Sequence, residues 1–124
     1  MPSSAVDRDA LIALLDGNPD LIVTIIDSFL DDCPNYMEDI REAVDEENAK
    51  VLEQKAHGLK GAAGSLRATP ASEAAQVLEE IGHSDDFSGA ETALETLEEE
   101  VDRLKEALRT LRRQCRDETA SVDD

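Results

Sequence analysis

His57 and Lys60 stand three residues apart in a run that also holds Gly58, Gly61 and Gly64, and here residue types and spacing suggest covalent chemistry. On an α-helix, positions i, i+3, i+4 and i+7 share a face, so Lys60, Gly61 and Gly64 would lie beside the histidine. A neutral imidazole is a competent nucleophile near neutral pH. An ammonium next to it can neutralise a phosphoryl group in transit, and missing side chains let another protein's surface come close. These are the requirements of phosphoryl transfer between proteins. The same residues also fit an ordinary solvent-facing helix, because one His and one Lys form no catalytic signature by themselves.

The charge pattern bears on that choice. The chain has 30 acidic and 12 basic residues among 124, a formal net charge of −18, yet residues 54–72 contain neither Asp nor Glu. Between 51 and 67, Lys55, Lys60 and Arg67 stand against the single acid Glu53, so the stretch is locally cationic and could receive an anion. A second basic stretch sets Arg103, Lys105, Arg109, Arg112, Arg113 and Arg116 against Glu106. Cations approaching a helix C-terminus complement the macrodipole, which accounts for that stretch without a ligand.

The overall acidity repels nucleic-acid phosphates and anionic lipid headgroups, and it excludes both as expected partners. It keeps a surface solvated, and with only four lysines (Lys50, Lys55, Lys60, Lys105) it also fits adaptation to a saline cytoplasm. The N-terminus has neither the basic nor the apolar region of an export signal. The longest nearly apolar run, Leu21 to Ile26, is far short of the roughly 20 residues of a membrane span. A cytoplasmic location is expected. Cys33 and Cys115 fall on apolar helical stripes, so buried thiols are expected rather than a disulfide or a metal site.

The elements that must position His57 are all helical. Aromatic residues make up only 2% of the chain, so the core must come from Leu, Ile, Val and Ala. Val6, Ala10, Leu11, Leu14 and Leu15 predict a short first helix closed at Gly17. Asn18 as N-cap and Pro19 at the first helical position open the stripe Ile22, Ile26, Phe29, Cys33, Tyr36, Ile40, Ala43. Its unbroken phase predicts one helix over 19–46, kinked near Pro34. Leu52, Ala56, Leu59, Ala63 and Leu66 predict a helix within 48–67. Its three glycines each cost roughly 1 kcal/mol against alanine, which calls for a close approach by a backbone or a ligand. Thr69 as cap and Pro70 as first residue open another helix, with Ala71, Ala74, Ala75, Leu78 and Ile81 inward and Gly82 as its end. Ser88 and Glu91 read as a capping box before the stripe Ala90, Leu94, Leu97, Val101, Leu104, Leu108, Leu111, Cys115. Four amphipathic helices in one small chain satisfy one another in an antiparallel four-helix bundle with the short N-terminal helix as an extra. This all-α domain is expected to span 1–116, with its core over about 18–112, leaving 117–124 as a disordered acidic tail.

The run Ala56-His57-Gly58-Leu59-Lys60-Gly61-Ala62-Ala63-Gly64-Ser65-Leu66 resembles the signature of histidine-containing phosphotransfer (HPt) domains. In that family A-H-x-L-K-G precedes small residues and a helix with a Leu-Glu pair, here Leu78-Glu79. Asn18-Pro19-Asp20, the long helix with Phe29-Leu30-Asp31-Asp32 and Pro34, and the Leu- and Glu-rich last helix extend the likeness over about 18–112. The resemblance implies that His57 is the phosphoacceptor, that Lys60 steadies the phosphoryl group, and that Glu79 holds the second imidazole nitrogen so the outward one is free to attack. It implies a phosphocarrier rather than an enzyme, passing phosphate between response-regulator receiver domains and a sensor (hybrid) histidine kinase. The chain itself would act as a monomer with no cofactor or metal of its own, since Mg²⁺ comes with the receiver. Gly58, Gly61, Gly64 and Arg67 would form the docking surface. Arg67 departs from the family, many of whose members have glycine near this position, which leaves open whether it adds charge at that surface or ends the helix. His83, after Gly82, reads as a capping residue. Two other readings fit the same residues: a helical adaptor that binds receivers or kinases without accepting phosphate, and the phosphoacceptor domain of a chemotaxis-type kinase.

Overall fold

The first three helices begin where a side chain takes over backbone N–H groups that have no partner in the first turn. Asp7 accepts from Ala10 N (3.1 Å) and opens α1, Arg8–Leu14. Asn18 accepts from the amides of Asp20 and Leu21 and opens α2, Pro19–Glu46. Asn48 accepts from Val51 N (3.2 Å) and opens α3, Ala49–Ser65. Two further helices follow, α4 over Thr69–Ser84 and α5 over Ala90–Val122. This computed structural model describes residues 5–122, with side-chain surroundings through Asp117.

Short links make consecutive helices antiparallel, and α2, α3, α4 and α5 each pack on two neighbours in a closed ring. The apolar stripes meet along its axis. Ile26, Cys33 and Ile40 of α2, Leu52, Ala56, Leu59 and Ala63 of α3, Ala75 and Leu78 of α4, and Leu97, Leu104 and Leu108 of α5 are essentially without solvent contact. Both cysteines are buried free thiols, and burial pushes that of Cys33 up. Helix α2 runs through Pro34 without a break, and that proline faces solvent. The short α1 is tied on by Leu11 in the core and by Asp7 N donating to the Arg67 carbonyl (2.9 Å). Among the described residues, no helix is long and apolar enough to cross a membrane.

Several sequence expectations shift. Helix α4 starts at Thr69 itself, not after it. The turn leaving α3 buries Ala68, whose carbonyl accepts Ser72 N (3.0 Å), so the helical phase begins one residue early and the cap has no side-chain bond. Gly82 does not end α4; it lies inside the helix, buried against α3, and the left-handed residue that ends the helix is Asp85 (φ 60°). Ser88 forms no capping box at the start of α5, which opens two residues later at Ala90. The Asp86 carboxylate takes the Ser88 amide instead (3.1 Å), and hydrogen bonds to Ser88 hold that carboxyl below its ordinary range. At the other end α5 continues through 117–122, the part read as tail; a helix already formed extends at little cost per residue. Residues 123–124 lie outside the described residues. With the helix end moved outward, the basic stretch at 103–116 does not occupy its last turn. Arg103 and Arg109 pair with Glu100 and Glu106 one turn back, and Arg112 and Arg116 reach Asp27 on α2.

Candidate functional site

The seam between α3 and α4 is the most extensive helix contact in the bundle, and it brings together His57, Lys60 and Glu79. Small residues permit the approach. A Cβ on Gly82 would fall 2.6 Å from Glu53 N and 2.8 Å from Ala49 O, and backbone cannot give way as a flexible side chain can. Farther along, Ser72 Oγ donates to the Lys60 carbonyl (3.2 Å). Between these points Glu79 faces α3 with its side chain 20% exposed, while the His57 ring stands 68% exposed.

Glu79 grips both neighbours. Its Oε2 lies 2.9 Å from His57 Nδ1, and its Oε1, shielded from solvent, lies 2.6 Å from the Lys60 ammonium. The second contact is an ion pair rather than a well-directed hydrogen bond. The Lys60 ammonium is the main reason the Glu79 carboxyl sits below its ordinary range, with His57 adding to it and partial burial opposing it. An ionised carboxylate can only accept, so Nδ1 of a neutral His57 carries the proton, and Nε2, with its lone pair, is the nitrogen left for reaction.

The glycines play three different parts. Gly61 is open, with nothing within 4 Å of where its Cβ would stand, so it bares backbone on the His57 side of α3. Gly64 faces α4, with Ser72 Oγ 3.7 Å from its Cβ position. Gly58 is filled from within: the Tyr36 ring of α2 packs over it, Cε1 only 2.8 Å from a Cβ position. Of the four residues expected to form a docking surface, Gly61 alone leaves free space next to His57. Arg67 is carried away from the face it would share with His57 on a continuous helix, because α3 ends at Ser65. It adopts φ 59°, the left-handed conformation in which glycine is unstrained, and Ala68 N bonds back to the Ala63 carbonyl around it. Its side chain lines a groove with Val6, Asp7 and Leu111 at the α1 end of the bundle.

Two features went unseen in the sequence. Tyr36, read only as a core residue, is half-buried and roofs Gly58 next to the histidine. His83 is no simple capping residue, since its Nδ1 lies 2.8 Å from Glu53 Oε2. The signal for the second was present: Glu-x-x-x-His occurs at Glu53–His57 and again at Glu79–His83. Among the described residues, no group of three or more His, Cys, Asp or Glu side chains is placed to hold a metal ion.

Comparison with known proteins bears on the family and the fold. A family model for the Hpt domain matches residues 24–114, which is most of the chain. The crystal structure of histidine-containing phosphotransfer protein B (HptB) from Pseudomonas aeruginosa PAO1 superposes with a TM-score of 0.84 at 20% identity, covering 91% of this chain and 98% of that one. At that identity the likeness speaks for the fold. No curated protein sequence matches the chain.

Proposed function

The chain belongs to the Hpt domain family, the histidine phosphotransfer proteins of two-component phosphorelays, and on that footing we propose that its phosphoryl group travels on His57. The observation that carries this is a highly exposed ring whose Nδ1 is held 2.9 Å from a carboxylate that can only accept, which leaves Nε2 outward with its lone pair. The Nε2 lone pair attacks the phosphorus of a receiver's aspartyl phosphate from the side opposite the leaving oxygen. The P–O bond to the carboxyl breaks, and the aspartate departs as a carboxylate. The product is a phosphorylated imidazolium whose Nδ1–H remains on Glu79, so the same carboxylate that selects the tautomer then balances the charge of the ring.

Lys60 acts from one turn away. Its side chain is 29% exposed and its ammonium is paired with Glu79 in the resting state. A lysine stem is long enough to turn the ammonium toward the new phosphoryl oxygens. Phosphoryl transfer asks a protein mainly for positioning and charge compensation, and nucleophile, orienting carboxylate and cation are what this seam supplies. The Mg²⁺ that shields the donor phosphate belongs, in this reading, to the receiver's acidic pocket.

Members of this family meet receiver domains and histidine kinases. For this chain the proposal places a sensor or hybrid kinase upstream and a response regulator downstream, with the chain working as a monomeric cytoplasmic carrier that has no autokinase activity. Gly61 marks where a receiver can come down over His57. The test is to incubate the protein with a phosphorylated receiver and follow the label. Transfer is expected to vanish in His57→Gln and to persist in His83→Gln; receiver-derived label that survives His57→Gln would sink the assignment.

A further inference from the structure

The α3/α4 seam carries a second oriented imidazole that the relay does not use. His83 is 82% exposed, and its Nδ1 lies 2.8 Å from Glu53 Oε2. Two antiparallel helices that each bear Glu-x-x-x-His set the glutamate of one opposite the histidine of the other, twice over. Glu79 serves His57, and one turn along Glu53 serves His83. Gly82 makes the second pairing possible, because any Cβ there would strike Glu53 N and Ala49 O and push the start of α3 off the end of α4. Glu53, Lys60, Gln76, Glu79, Glu80 and His83 line one open groove of about 320 Å³, so the Lys60 ammonium and the His83 ring share a depression.

We propose that His83 is a second phosphoacceptor, phosphorylated on Nε2 by small diffusible donors of the acyl phosphate or phosphoramidate class. The ionised Glu53 accepts the Nδ1–H of His83, which leaves the Nε2 lone pair outward as in His57. With phosphoramidate, Nε2 attacks phosphorus, the P–N bond of the donor breaks and ammonia leaves. The phosphorylated ring is an imidazolium whose Nδ1–H stays on Glu53. A small donor needs only an exposed nitrogen, whereas a receiver must seat its whole active-site rim. Glu53 and Glu80 repel an anionic donor, so His83 reacts more slowly than His57, severalfold at the least.

The proposal stands whether or not the relay runs through His57, and the full chain with phosphoramidate separates the two. Peptide mapping of the wild-type protein is expected to find acid-labile phosphate on both histidines, with no reliance on a variant's folding. His57→Gln should take up one phosphate, as the Nε2 isomer alone by ³¹P NMR, and His57→Gln/His83→Gln none. In Glu53→Gln/His57→Gln the amide can either accept or donate, so both ring isomers should appear, a readout that the lost repulsion of the donor does not move. A His57→Gln protein that takes up no phosphate overturns the proposal. So does a Glu53→Gln/His57→Gln protein with an unchanged isomer ratio, since His83 would then react as any exposed imidazole. Label on His83 with none on His57 supports His83 as an acceptor, overturns the stated rate order and counts against the relay assignment.

Discussion

Glu79 concentrates the chemistry of the seam in one carboxylate, since it holds the imidazole through one oxygen and the ammonium through the other. Glu79→Ala releases both. Transfer from a phosphorylated receiver is expected to fall by about 10- to 100-fold, the range for removing a group that orients a reacting ligand, as read by single-turnover kinetics. Glu79→Gln can still accept the Nδ1–H through its amide oxygen and should lose less than about tenfold. The same carboxylate gives a pH signature. Its folded pKa lies below the ordinary 4.5, chiefly because of Lys60, so the unfolded chain binds this proton more readily than the folded one. The stabilisation is therefore present above that ordinary value and is lost as pH falls through the lower folded one. Urea unfolding of wild type and Glu79→Gln side by side should show a gap in midpoint that is constant near neutrality and closes in acid. A gap that widens on acidification would contradict the pairing.

Among the helices, glycine in α3 and α4 is not one thing. Gly61 has open space where a side chain would stand, so Gly61→Ala should gain up to about 1 kcal/mol from helix propensity while crowding the face proposed for receiver docking. A higher urea midpoint together with slower transfer is the expected outcome; faster transfer would mean that the partner docks elsewhere. Gly82→Ala should act in the opposite sense. The added carbon meets the backbone of α3, and overpacking of this kind costs about 1–3 kcal/mol, seen as a lower urea midpoint. Helix content and phase were legible in the sequence because an apolar stripe records its own periodicity: Ile22 to Ala43 and Ala90 to Cys115 are buried as read, apart from the half-buried Tyr36. Helix ends were less legible. Thr69, Gly82 and Ser88 are all good punctuation locally; Thr69 and Gly82 were overruled by what α3 and the turn leaving it placed beside them, and Ser88 by the Asp86 carboxylate two residues back.

At the scale of the molecule, a net charge of −18 on a small bundle works against compactness, and the ion pairs that offset it, Lys55–Asp39, Arg41–Glu98 and Arg112–Asp27, lie at or near the surface. Salt shortens the Debye length from about 10 Å at 0.1 M to about 3 Å at 1 M, which screens the general repulsion. The thermal midpoint is therefore expected to rise with NaCl over that range, by circular dichroism; a falling midpoint would mean that the ion pairs outweigh the repulsion. By itself the sequence determined the helical class, most of the inward faces and the family, because i→i+4 hydrogen bonding and side-chain phase are settled between near neighbours along the chain, although Leu14, on the first apolar stripe, stays exposed. Only the tertiary structure decided that Tyr36 fills Gly58, that Arg67 turns away in a left-handed bend, that Gly82 is a contact and not an end, and that Glu53 faces His83. Those outcomes depend on the register of one helix against another across a loop, which the packing of the whole core sets and no local window of residues contains.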